Sequence, residues 1–325
     1  MDESDGAGLG HGPTTGADGD ASYALLDVGD LRRLERFGAR VLDRPAQSEG
    51  GFPPRDPDAW ATADARFEPA ADGTGRWIVA VPGADAPWTV VVAGLTFELR
   101  LAPSGQVGCF PEQVPNWRWI ADRLGAPAEV GRPVAAAGGE ADRSGIAVDD
   151  SREVLNLFAY TGGSTLAAAR SGARVVHVDA GRAAVAWARR NAGLSDLAAA
   201  PIRWIVDDAL AFTRREARRE RRYAGIVLDP PSFGHGPGGR PWQLETGLAE
   251  LLEACAAILA RQRAFVVLTA HTPGFGPDRL AEMLETALLA EGHTPRDGVL
   301  EAGELGLVAA TGRTLDLGAV VRWST

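Results

Sequence analysis

Four groups of residues suited to holding a nucleotide follow one another in the C-terminal half of the chain. Each comes directly after or at the end of a short apolar run that predicts a strand: Thr161-Gly162-Gly163, Asp179, Asp207-Asp208-Ala209 and Asp229-Pro230-Pro231-Ser232-Phe233. Because ligands of an open α/β sheet bind at the carboxyl ends of its strands, we expect these groups to meet at one site. A glycine turn that opens a helix presents free N–H groups, and an acid at the second strand end can accept ribose hydroxyls. A carboxylate of Asp207 or Asp208 can take the amine of an adenine, so the spacing predicts a nucleotide site.

The kind of nucleotide is narrowed by what the sequence lacks. A dinucleotide fold carries G-x-G-x-x-G after its first strand, whereas here Tyr160 and Leu166 flank the single pair Gly162-Gly163. The chain contains no lysine, so all 33 basic residues are arginines. A Walker-type phosphate loop, a Schiff-base enzyme and a kinase each need a lysine. These classes are excluded, and a nucleotide without a pyrophosphate is favoured.

The elements that must position these residues alternate between strand and helix from residue 153 onward. This alternation predicts an α/β fold, a mostly parallel sheet with helices on both faces. The predicted strands are 154–158, 174–179, 202–206, 224–228 and 264–270, followed by a hairpin around 298–309 and 317–324. The predicted helices lie at about 164–171, 181–192, 208–219, 243–261 and 277–291.

The N-terminal part has a different sequence pattern, which predicts a separate, β-rich module. Short apolar runs there are separated by glycine and proline, and one of them, 95–101, alternates with a period of two residues. We expect a disordered tail at 1–20, a module at 21–133 that covers or binds the substrate, a linker at 134–151 and the main domain at 152–325. Most tryptophans of the module are expected in its core rather than on a base-stacking surface.

Residues 153–325 resemble the class I S-adenosylmethionine-dependent methyltransferases, and most closely the large-subunit ribosomal RNA branch with its uncharacterised relatives. Asn156-Leu157-Phe158-Ala159-Tyr160-Thr161-Gly162-Gly163 is similar to the cofactor-binding motif of that branch, and Asp229-Pro230-Pro231-Ser232-Phe233 to its active-site motif. The resemblance extends upstream to 105–113, a segment containing Phe110 that folds over the cofactor in the relatives. The basic residues usual after that segment are replaced here by Val114 and Trp117.

The resemblance implies a Rossmann-like domain with a seven-stranded sheet, S-adenosylmethionine as cofactor, and RNA, chiefly ribosomal RNA, as substrate. The cofactor-binding residues that it implies, together with the strand-end acids, are Phe110, Asn156, Phe158, Tyr160, Thr161, Gly162, Gly163, Asp179, Asp207, Asp208, Ala209 and Asp229. In the similar amino-methylating enzymes, the side chain at the position of Asp229 and the carbonyl at Pro230 accept hydrogen bonds from the target amine. The aromatic residue at the position of Phe233 stacks on the base.

N-methylation is favoured over methylation of a pyrimidine C5, which needs a cysteine nucleophile. The similar C5 enzymes place that cysteine after the fifth strand, where this chain reads Thr269-Ala270-His271-Thr272. Cys255 falls within a predicted apolar helix and is expected to be structural, which leaves Cys109 as a remote candidate. His271 and His235 lie in loops where an imidazole could take a proton.

Composition limits the partners. The net charge of −10 argues against gripping a nucleic-acid duplex by bulk electrostatics, so a small-molecule or protein substrate is the alternative. A non-catalytic binding protein on the same fold is a third hypothesis. The run Arg214–Arg222 is interpreted as a salt-bridged helix face, with RNA contact as its alternative. The acidic N-terminus and the two cysteines predict a cytoplasmic protein without a disulfide framework, and neither a membrane nor a metal partner is predicted.

Overall fold

The computed structural model describes residues 23–46, 51–70, 74–125, 152–235, 241–294 and 298–325. Two main sheets organise these residues, a five-stranded sheet in the N-terminal part and a seven-stranded sheet in the C-terminal part. The predicted tail at 1–20 and the predicted linker at 134–151 lie outside the described residues. The division of the chain into domains therefore stays a prediction.

The N-terminal part is a β-rich module. Its strands are β1 (Tyr23–Gly29), β2 (Arg32–Phe37), β3 (Arg40–Pro45), β4 (Ala65–Pro69), β5 (Gly75–Val79), β6 (Trp88–Val92) and β7 (Leu95–Leu99). Its helices are α1 (Pro57–Trp60) and α2 (Val114–Arg123), and a 3₁₀ turn at Pro111–Gln113 leads into α2. Strands β1 to β5 form one sheet in chain order, and β6 pairs with β7 as a separate hairpin.

Strand β2 is not evident from the sequence because most of its residues are charged. The structure buries Glu35 of this strand completely. Arg44 of β3 compensates the carboxylate by donating two hydrogen bonds to Glu35 Oε2, from Nε at 2.8 Å and from Nη2 at 2.5 Å. A buried charge is tolerated where a hydrogen-bonded partner of opposite sign accompanies it, so tertiary pairing overrides the apolar pattern here.

The C-terminal part contains the remaining elements. Its strands are β8 (Glu153–Leu157), β9 (Arg174–Asp179), β10 (Ile202–Val206), β11 (Gly225–Leu228), β12 (Phe233–His235), β13 (Pro241–Gln243), β14 (Phe265–Ala270), β15 (Val299–Val308) and β16 (Thr314–Ser324). Its helices are α3 (Gly163–Arg170), α4 (Arg182–Leu194), α5 (Ala209–Arg218), α6 (Leu244–Ala257) and α7 (Pro277–Ala290). The large sheet has the order β10-β9-β8-β11-β14-β16-β15, in which only β16 and β15 run antiparallel to their neighbours.

Both faces of this sheet are covered, which explains why its central strands are continuous apolar runs. All residues of β8 and β11 are buried. Successive side chains of β8 enter different cores: Leu155 packs with α5, α6 and α7, whereas Val154 packs with α2 and α3. A parallel sheet between two helical layers needs this pattern. The predicted fold class, a mostly parallel seven-stranded sheet with a smaller β-rich module, is confirmed.

The module is fastened to the large domain beside the turn that follows β8. The backbone N–H of Glu98 in β7 donates to Asn191 Oδ1 at 2.9 Å, and Trp187 Nε1 donates to the carbonyl of Glu98 at 2.8 Å. Asn191 Nδ2 in turn donates to the carbonyl of Thr161 at 3.0 Å. Helix α4 therefore connects the module directly to the glycine turn.

The turn between β15 and β16 makes a second attachment to the module. Thr311 donates its hydroxyl hydrogen to Asp27 Oδ1 at 2.8 Å, and Arg313 Nη1 donates to the carbonyl of Val28 at 2.5 Å. Leu307, Ala309 and Leu315 share a small apolar core with Leu25 and Val28. Because β16 also runs past the strand ends of the sheet, this attachment positions part of the candidate site.

Candidate active site

The turn between β8 and α3 has an unusual backbone that a neighbouring strand holds in place. Gly162 caps α3 with φ +92°, and two residues with side chains, Phe158 and Tyr160, also have positive φ, at +55° and +45°. Such conformations are costly outside glycine and occur where surrounding contacts enforce them. The N–H of Tyr160 donates to Asp179 Oδ2 at 2.8 Å. The acid that ends β9 therefore shapes the turn that ends β8.

The glycine pair leaves room for protein atoms as well as for a ligand. A Cβ on Gly163 would lie 2.3 Å from Cζ2 of Trp117 in α2, and a Cβ on Gly162 would lie 3.1 Å from Cβ of Ala188 in α4. The sequence suggests only that the pair clears space for a ligand. The structure adds a requirement from packing, since Trp117 of the N-terminal module rests on the start of α3.

Three buried side chains joined by hydrogen bonds support the turn between β8 and α3. Asn156 Nδ2 donates to Thr165 Oγ1 at 2.8 Å, and this hydroxyl lies 3.0 Å from His177 Nδ1. Burial lowers the pKa of His177 to about 3, so its imidazole is neutral and can accept the Thr165 hydrogen. Asn156, expected at the cofactor site, thus has its amide nitrogen engaged in the support of the turn.

Two adjoining cavities bring together most of the residues singled out from the sequence. The larger, of about 370 Å³, is of a size that ligand sites use, and a narrow one of about 40 Å³ lies at the start of α3. Both are lined by Phe110, Phe158, Tyr160 and Asp229. The larger adds Asp179, Asp207, Asp208, Ala209 and His271, and the narrow one adds Asn156, Thr161, Gly162 and Gly163. Pro230 and Phe233 line neither cavity.

Asp179 stands where an acid that binds ribose is expected. Its Oδ1 accepts the N–H of Gly181 at 2.8 Å and its Oδ2 accepts the N–H of Tyr160, also at 2.8 Å. Burial raises the pKa of Asp179, and the two N–H groups act in the opposite direction. Each carboxylate oxygen can accept more than one hydrogen bond, so this fixed carboxylate can still receive hydroxyls from the cavity.

The acids after β10 are not equivalent. Asp207 accepts the N–H of Asp208 on Oδ1 at 2.8 Å and pairs through Oδ2 with Arg215, so both of its oxygens are engaged. Asp208 caps α5 by accepting the N–H of Ala211 on Oδ1 at 2.8 Å. The second oxygen of Asp208 and the first N–H of α5, at Ala209, are therefore the better pair for the edge of an adenine.

Asp229 is held by two side chains that converge on one of its oxygens. The Thr269 hydroxyl donates to Oδ1 at 2.5 Å, and His271 Nε2 lies 3.0 Å from the same atom. His271 Nδ1 lies 2.5 Å from the carbonyl of Leu317 in β16. Because both ring nitrogens face acceptors, the protonated imidazolium, which donates from both, satisfies this geometry.

The electrostatics of this pair agree with its geometry. Burial works against the charged imidazole, but Asp229, Glu112 and the carbonyl of Leu317 together outweigh it and raise the pKa of His271 to about 9. Burial likewise works against the charged carboxylate, and His271 and Thr269 together hold the pKa of Asp229 below its usual range. The geometry and the raised pKa therefore favour a His271 ring protonated at both nitrogens at neutral pH, and the proton-accepting role considered for it stays a prediction.

Of the two aromatic residues in the hairpin of β12 and β13, Trp242 lines the larger cavity, although the sequence motifs do not single it out. Strands β12 and β13 pair Gly234 with Trp242 and Phe233 with Gln243, so Phe233 and Trp242 project from opposite faces of this hairpin. Trp242 lines the cavity, with its Nε1 donating to the carbonyl of Pro231 at 2.8 Å, whereas Phe233 is 73% exposed. A tryptophan soon after the active-site motif was the available signal. The side chain of His235 lies outside the described part of the chain.

The segment before α2 does fold over the turn, as the resemblance implies. The Thr161 hydroxyl donates to the carbonyl of Gly108 at 2.8 Å, and the Phe110 ring meets the Tyr160 ring edge-on, with centroids 5.6 Å apart. Trp117 Nε1 is buried and has no hydrogen-bond partner among the described residues. Trp117 lines the narrow cavity together with the first residues of α3, whose N–H groups no side chain caps.

These donors and acids fit S-adenosylmethionine. The narrow cavity offers the uncapped N-terminus of α3, which suits the carboxylate of the methionine part, and Trp117 packs beside it. Asp179 suits the ribose, and Asp208 with Ala209 suits the adenine, all along the wall of the larger cavity. The residues present therefore match the polar groups of this cofactor in the order in which they occur along the molecule.

Neither cysteine has the properties of a nucleophile. Burial raises the pKa of Cys255 to about 12, and Cys255 lies within α6. Burial also raises the pKa of Cys109, with a further contribution from the charge of Glu112. Cys109 does line the narrow cavity, but a reactive cysteine needs a lowered pKa that makes the thiolate available.

The arginine-rich run at 214–222 is largely paired within the protein. Its ion pairs are Arg214 with Glu250, Arg215 with Asp207, Arg219 with Glu216, and Arg221 with Glu153. These pairs agree with the salt-bridged part of the interpretation, but α5 ends at Arg218, so Arg219 and Arg221 pair from the segment after the helix rather than from a helix face. Within the described residues, no helix is long and apolar enough to cross a membrane.

Comparison with known proteins identifies relatives that match most of the chain and others that match a shorter stretch of it. The chain is 34% identical to the crystal structure of the SAM Dependent Methyltransferase from Agrobacterium tumefaciens, with a TM-score of 0.79, over 94% of this chain and 91% of that one. A solved structure from Streptococcus mutans, 14% identical over 94% of this chain and 75% of that chain, shares the fold with a TM-score of 0.68. No family model matches the chain.

Curated relatives match a shorter stretch. The Ribosomal RNA large subunit methyltransferase K/L of Shewanella sp. (strain ANA-3) is 38% identical over 86 residues, which make up 26% of this chain and 12% of that protein. The Ribosomal RNA large subunit methyltransferase I of Aeromonas salmonicida is 35% identical over 106 residues, 32% of this chain and 24% of that protein. The chain thus matches well under half the length of these curated relatives.

Proposed function

Since this chain belongs to the S-adenosylmethionine-dependent methyltransferases, we propose that it transfers a methyl group to a nitrogen of an RNA base, with ribosomal RNA as the substrate. The observation that carries the proposal is the position of Asp229. Its carboxylate lines both cavities and is fixed through one oxygen by Thr269 and His271, so the other oxygen is available to a substrate.

S-adenosylmethionine supplies, when bound, a methyl group on a positively charged sulfur as the electrophile. The chain's own residues bind and orient. Asp179 would hold the ribose hydroxyls, Asp208 and the N–H of Ala209 the adenine edge, and the first turn of α3 with Trp117 the methionine carboxylate. Phe110, Phe158 and Tyr160 form apolar walls that exclude water from the site. The acids around the larger cavity favour a positively charged ligand.

Asp229 would accept a hydrogen bond from a target amine, whereas Pro230, whose carbonyl the resemblance implies as a second acceptor, lines neither cavity. Such a contact fixes the direction of the nitrogen lone pair, and methyl transfer depends mainly on this kind of alignment. Phe233, which is 73% exposed on the hairpin face opposite Trp242, is available to stack on a base that arrives from solvent. The high pKa values of Cys109 and Cys255 support N-methylation over C5 methylation.

The names of the relatives support RNA as the substrate class. The curated proteins that match part of the chain are named as large-subunit ribosomal RNA methyltransferases. An enzyme of this kind works where ribosomal RNA is made, and a cytoplasmic location remains our prediction. The assignment of the individual site residues is likewise proposed.

The test is a comparison of methylated ribosomal RNA nucleosides by mass spectrometry. We expect a strain without the gene to lack one methylated nucleoside, which the wild-type gene restores and the Asp229→Ala variant does not. Titration calorimetry with S-adenosylhomocysteine on the purified variant separates loss of chemistry from loss of the cofactor site. An unchanged nucleoside profile would contradict the RNA substrate, and absence of S-adenosylhomocysteine binding to the wild type would contradict the cofactor.

A small-molecule or protein substrate is the second candidate. It is favoured by the charge of the site, since no arginine is among the described residues that line the larger cavity. The net charge of −10 points the same way. This candidate gains support if the purified protein binds S-adenosylhomocysteine while the nucleoside profile of the deletion strain is unchanged.

A further inference from the structure

A series of side chains with alternating charge runs from the candidate active site into the N-terminal module. We call it the charge series, and in order it contains Asp229, His271, Glu112, Arg33, Glu35 and Arg44. Asp229 lies 3.0 Å from His271, Arg33 Nε lies 3.3 Å from Glu35 Oε2, and Arg44 Nη2 lies 2.5 Å from the same oxygen. Glu112 stands between the two ends, because Nε2 of its neighbour Gln113 lies 3.5 Å from Oγ1 of Thr269 at the end of β14. Burial raises the pKa of Glu112, and the charges of Arg33 and His271 oppose that rise.

Glu112 is a buried acid in the segment that covers the cofactor turn. It lies in the 3₁₀ turn before α2 and is only 5% exposed. A carboxylate in such a place is tolerated when cations face it, and Arg33 comes from the module whereas His271 comes from the large domain. Glu112 therefore connects the two parts of the chain through charge.

The module end of the charge series is anchored to the same covering segment. Arg44 donates from Nε and Nη2 to Glu35 and from Nη1 to the carbonyl of Gly105, the last at 3.1 Å. Gly105 begins the segment that contains Glu112. Arg44 thus holds the start of the covering segment, and the charges around Glu112 act near its end.

At the active-site end, His271 is held at both nitrogens. The carbonyl of Leu317 faces Nδ1 at 2.5 Å and Asp229 Oδ1 faces Nε2 at 3.0 Å. Thr269 donates to the same carboxylate oxygen. Asp229 therefore has one oxygen occupied from the protein side, and its orientation in the cavity depends on the imidazolium.

We propose that His271 is a positioning residue, a fixed cation that orients the carboxylate of Asp229, with Glu112 of the N-terminal module as its second counter-ion. This inference rests on the proposed function, in which Asp229 receives the target amine. In this arrangement the module does more than cover the cofactor, since its covering segment supplies a charge that keeps His271 protonated.

The arrangement sets the pH range in which the site is competent. The groups facing His271 are the carboxylates of Asp229 and Glu112 and the carbonyl of Leu317, all of which favour the protonated ring. His271 is protonated and positively charged well below pH 9, and it loses this proton as the pH rises through about 9. Methyl transfer is therefore expected to decline on the alkaline side, with the decline assigned to His271.

The direct test follows histidine protonation by NMR in the full-length protein labelled on histidine. The chain has five histidines, and the His271→Gln variant assigns the relevant signal. We expect the His271 ring to stay protonated at both nitrogens at pH 7 and to titrate near pH 9. The Glu112→Gln variant should lower that midpoint by about one pH unit, since it removes one of two nearby negative charges.

The matched control is Glu216→Gln, which neutralises another buried acid, bonded to Tyr223 and Arg219 in a different part of the protein. This variant should leave the His271 midpoint unchanged. A ring that titrates near 6.5 in the wild type would overturn the fixed cation. An unchanged midpoint in Glu112→Gln would overturn the role of Glu112.

Activity supplies a second readout that separates positioning from a purely structural role. The His271→Gln variant can still donate a hydrogen bond to Asp229 without a titrating charge, so it should keep part of the rate and lose the alkaline decline. His271→Ala should lose the rate while S-adenosylhomocysteine still binds. A wild-type alkaline decline that persists in His271→Gln would overturn the assignment. Failure of methyl transfer to RNA contradicts the proposed function instead, because the NMR titration needs no substrate.

Discussion

Trp117 of the N-terminal module packs so closely on Gly163 that a Cβ at this glycine would lie 2.3 Å from the indole Cζ2. The first predicted consequence concerns the Gly163→Ala variant. Because the indole is 4% exposed and surrounded by packed atoms, it has little room to shift, and we expect the free energy of unfolding to fall by about 1–3 kcal/mol. Urea denaturation followed by circular dichroism measures this change.

Gly193→Ala in α4 is the control for this variant, since no atom lies within 4 Å of the Cβ position there. That variant should be neutral or stabilising by up to about 1 kcal/mol. In the double variant Gly163→Ala with Trp117→Leu, the cost of the added methyl should shrink. A full cost that persists in the double variant would show that packing against Trp117 is not its cause.

Removal of the Asp229 side chain should separate chemistry from cofactor binding. In Asp229→Ala we expect methyl transfer to fall by at least about 100-fold, because a displaced target amine loses its alignment. The dissociation constant for S-adenosylhomocysteine should change little, since Asp179 and the turn after β8 are intact. Single-turnover rates and titration calorimetry give the two quantities. Glu285→Ala, on the exposed face of α7, is the control, and an equal loss in that variant would contradict the assignment.

Asp179 should affect the cofactor first. Asp179→Ala removes the acceptor for the N–H groups of Tyr160 and Gly181 and the proposed acceptor for the ribose. We expect the binding free energy of S-adenosylhomocysteine to weaken by about 1.5–3 kcal/mol, the usual value for hydrogen bonds to a charged group. Calorimetry measures it, and Asp316→Ala on β16 serves as the control for loss of an exposed acid. Unchanged affinity in Asp179→Ala would remove this residue from the cofactor site.

His177 should make the fold sensitive to acid. Its pKa is about 3 in the folded protein and about 6.5 in an unfolded chain. As the pH falls, His177 is protonated in the unfolded chain before it is protonated in the folded protein. The free energy of unfolding is therefore unaffected by His177 above pH 6.5 and decreases as the pH drops towards 3. At pH 5 this single group should cost about 2 kcal/mol.

The measurement compares the wild type with His177→Gln, which has no titrating group at this position. Urea unfolding at pH 7.5 and pH 5 should show that the wild type loses about 2 kcal/mol more than the variant does. Other carboxylates titrate equally in both proteins and cancel in the comparison. Identical pH dependence of the two proteins would mean that His177 is protonated within the fold.

Much of the large domain follows from the sequence because its pattern is local. The runs of β8 and β11 are apolar throughout, and the acids that end β9 and β11 stand directly beside strands that must be buried. Parallel strands between helices place those ends at one edge, so the meeting of Asp179, Asp208 and Asp229 around one cavity was predictable.

Other features could not be predicted, because they depend on residues far apart in the chain. Strand β2 is hidden in the sequence by its charges, and only the pairing of Glu35 with Arg44 allows it to be buried. Trp242 rather than Phe233 lines the larger cavity because of the hairpin register. No local pattern specifies which of two aromatic residues faces a ligand when both stand in a short hairpin.

The sequence by itself determined the class of fold, the order of the strand-end residues and the kind of nucleotide they can hold, since hydrophobic periodicity and residue chemistry are properties of short segments. Only the tertiary structure decided the protonation and the hydrogen-bond partners of these residues. Whether His271 accepts a proton or carries one depends on Leu317, Asp229 and Glu112, three residues brought together from different parts of the chain. Charge acts through space rather than along the sequence, so the protonation of an active-site group is a property of the folded molecule.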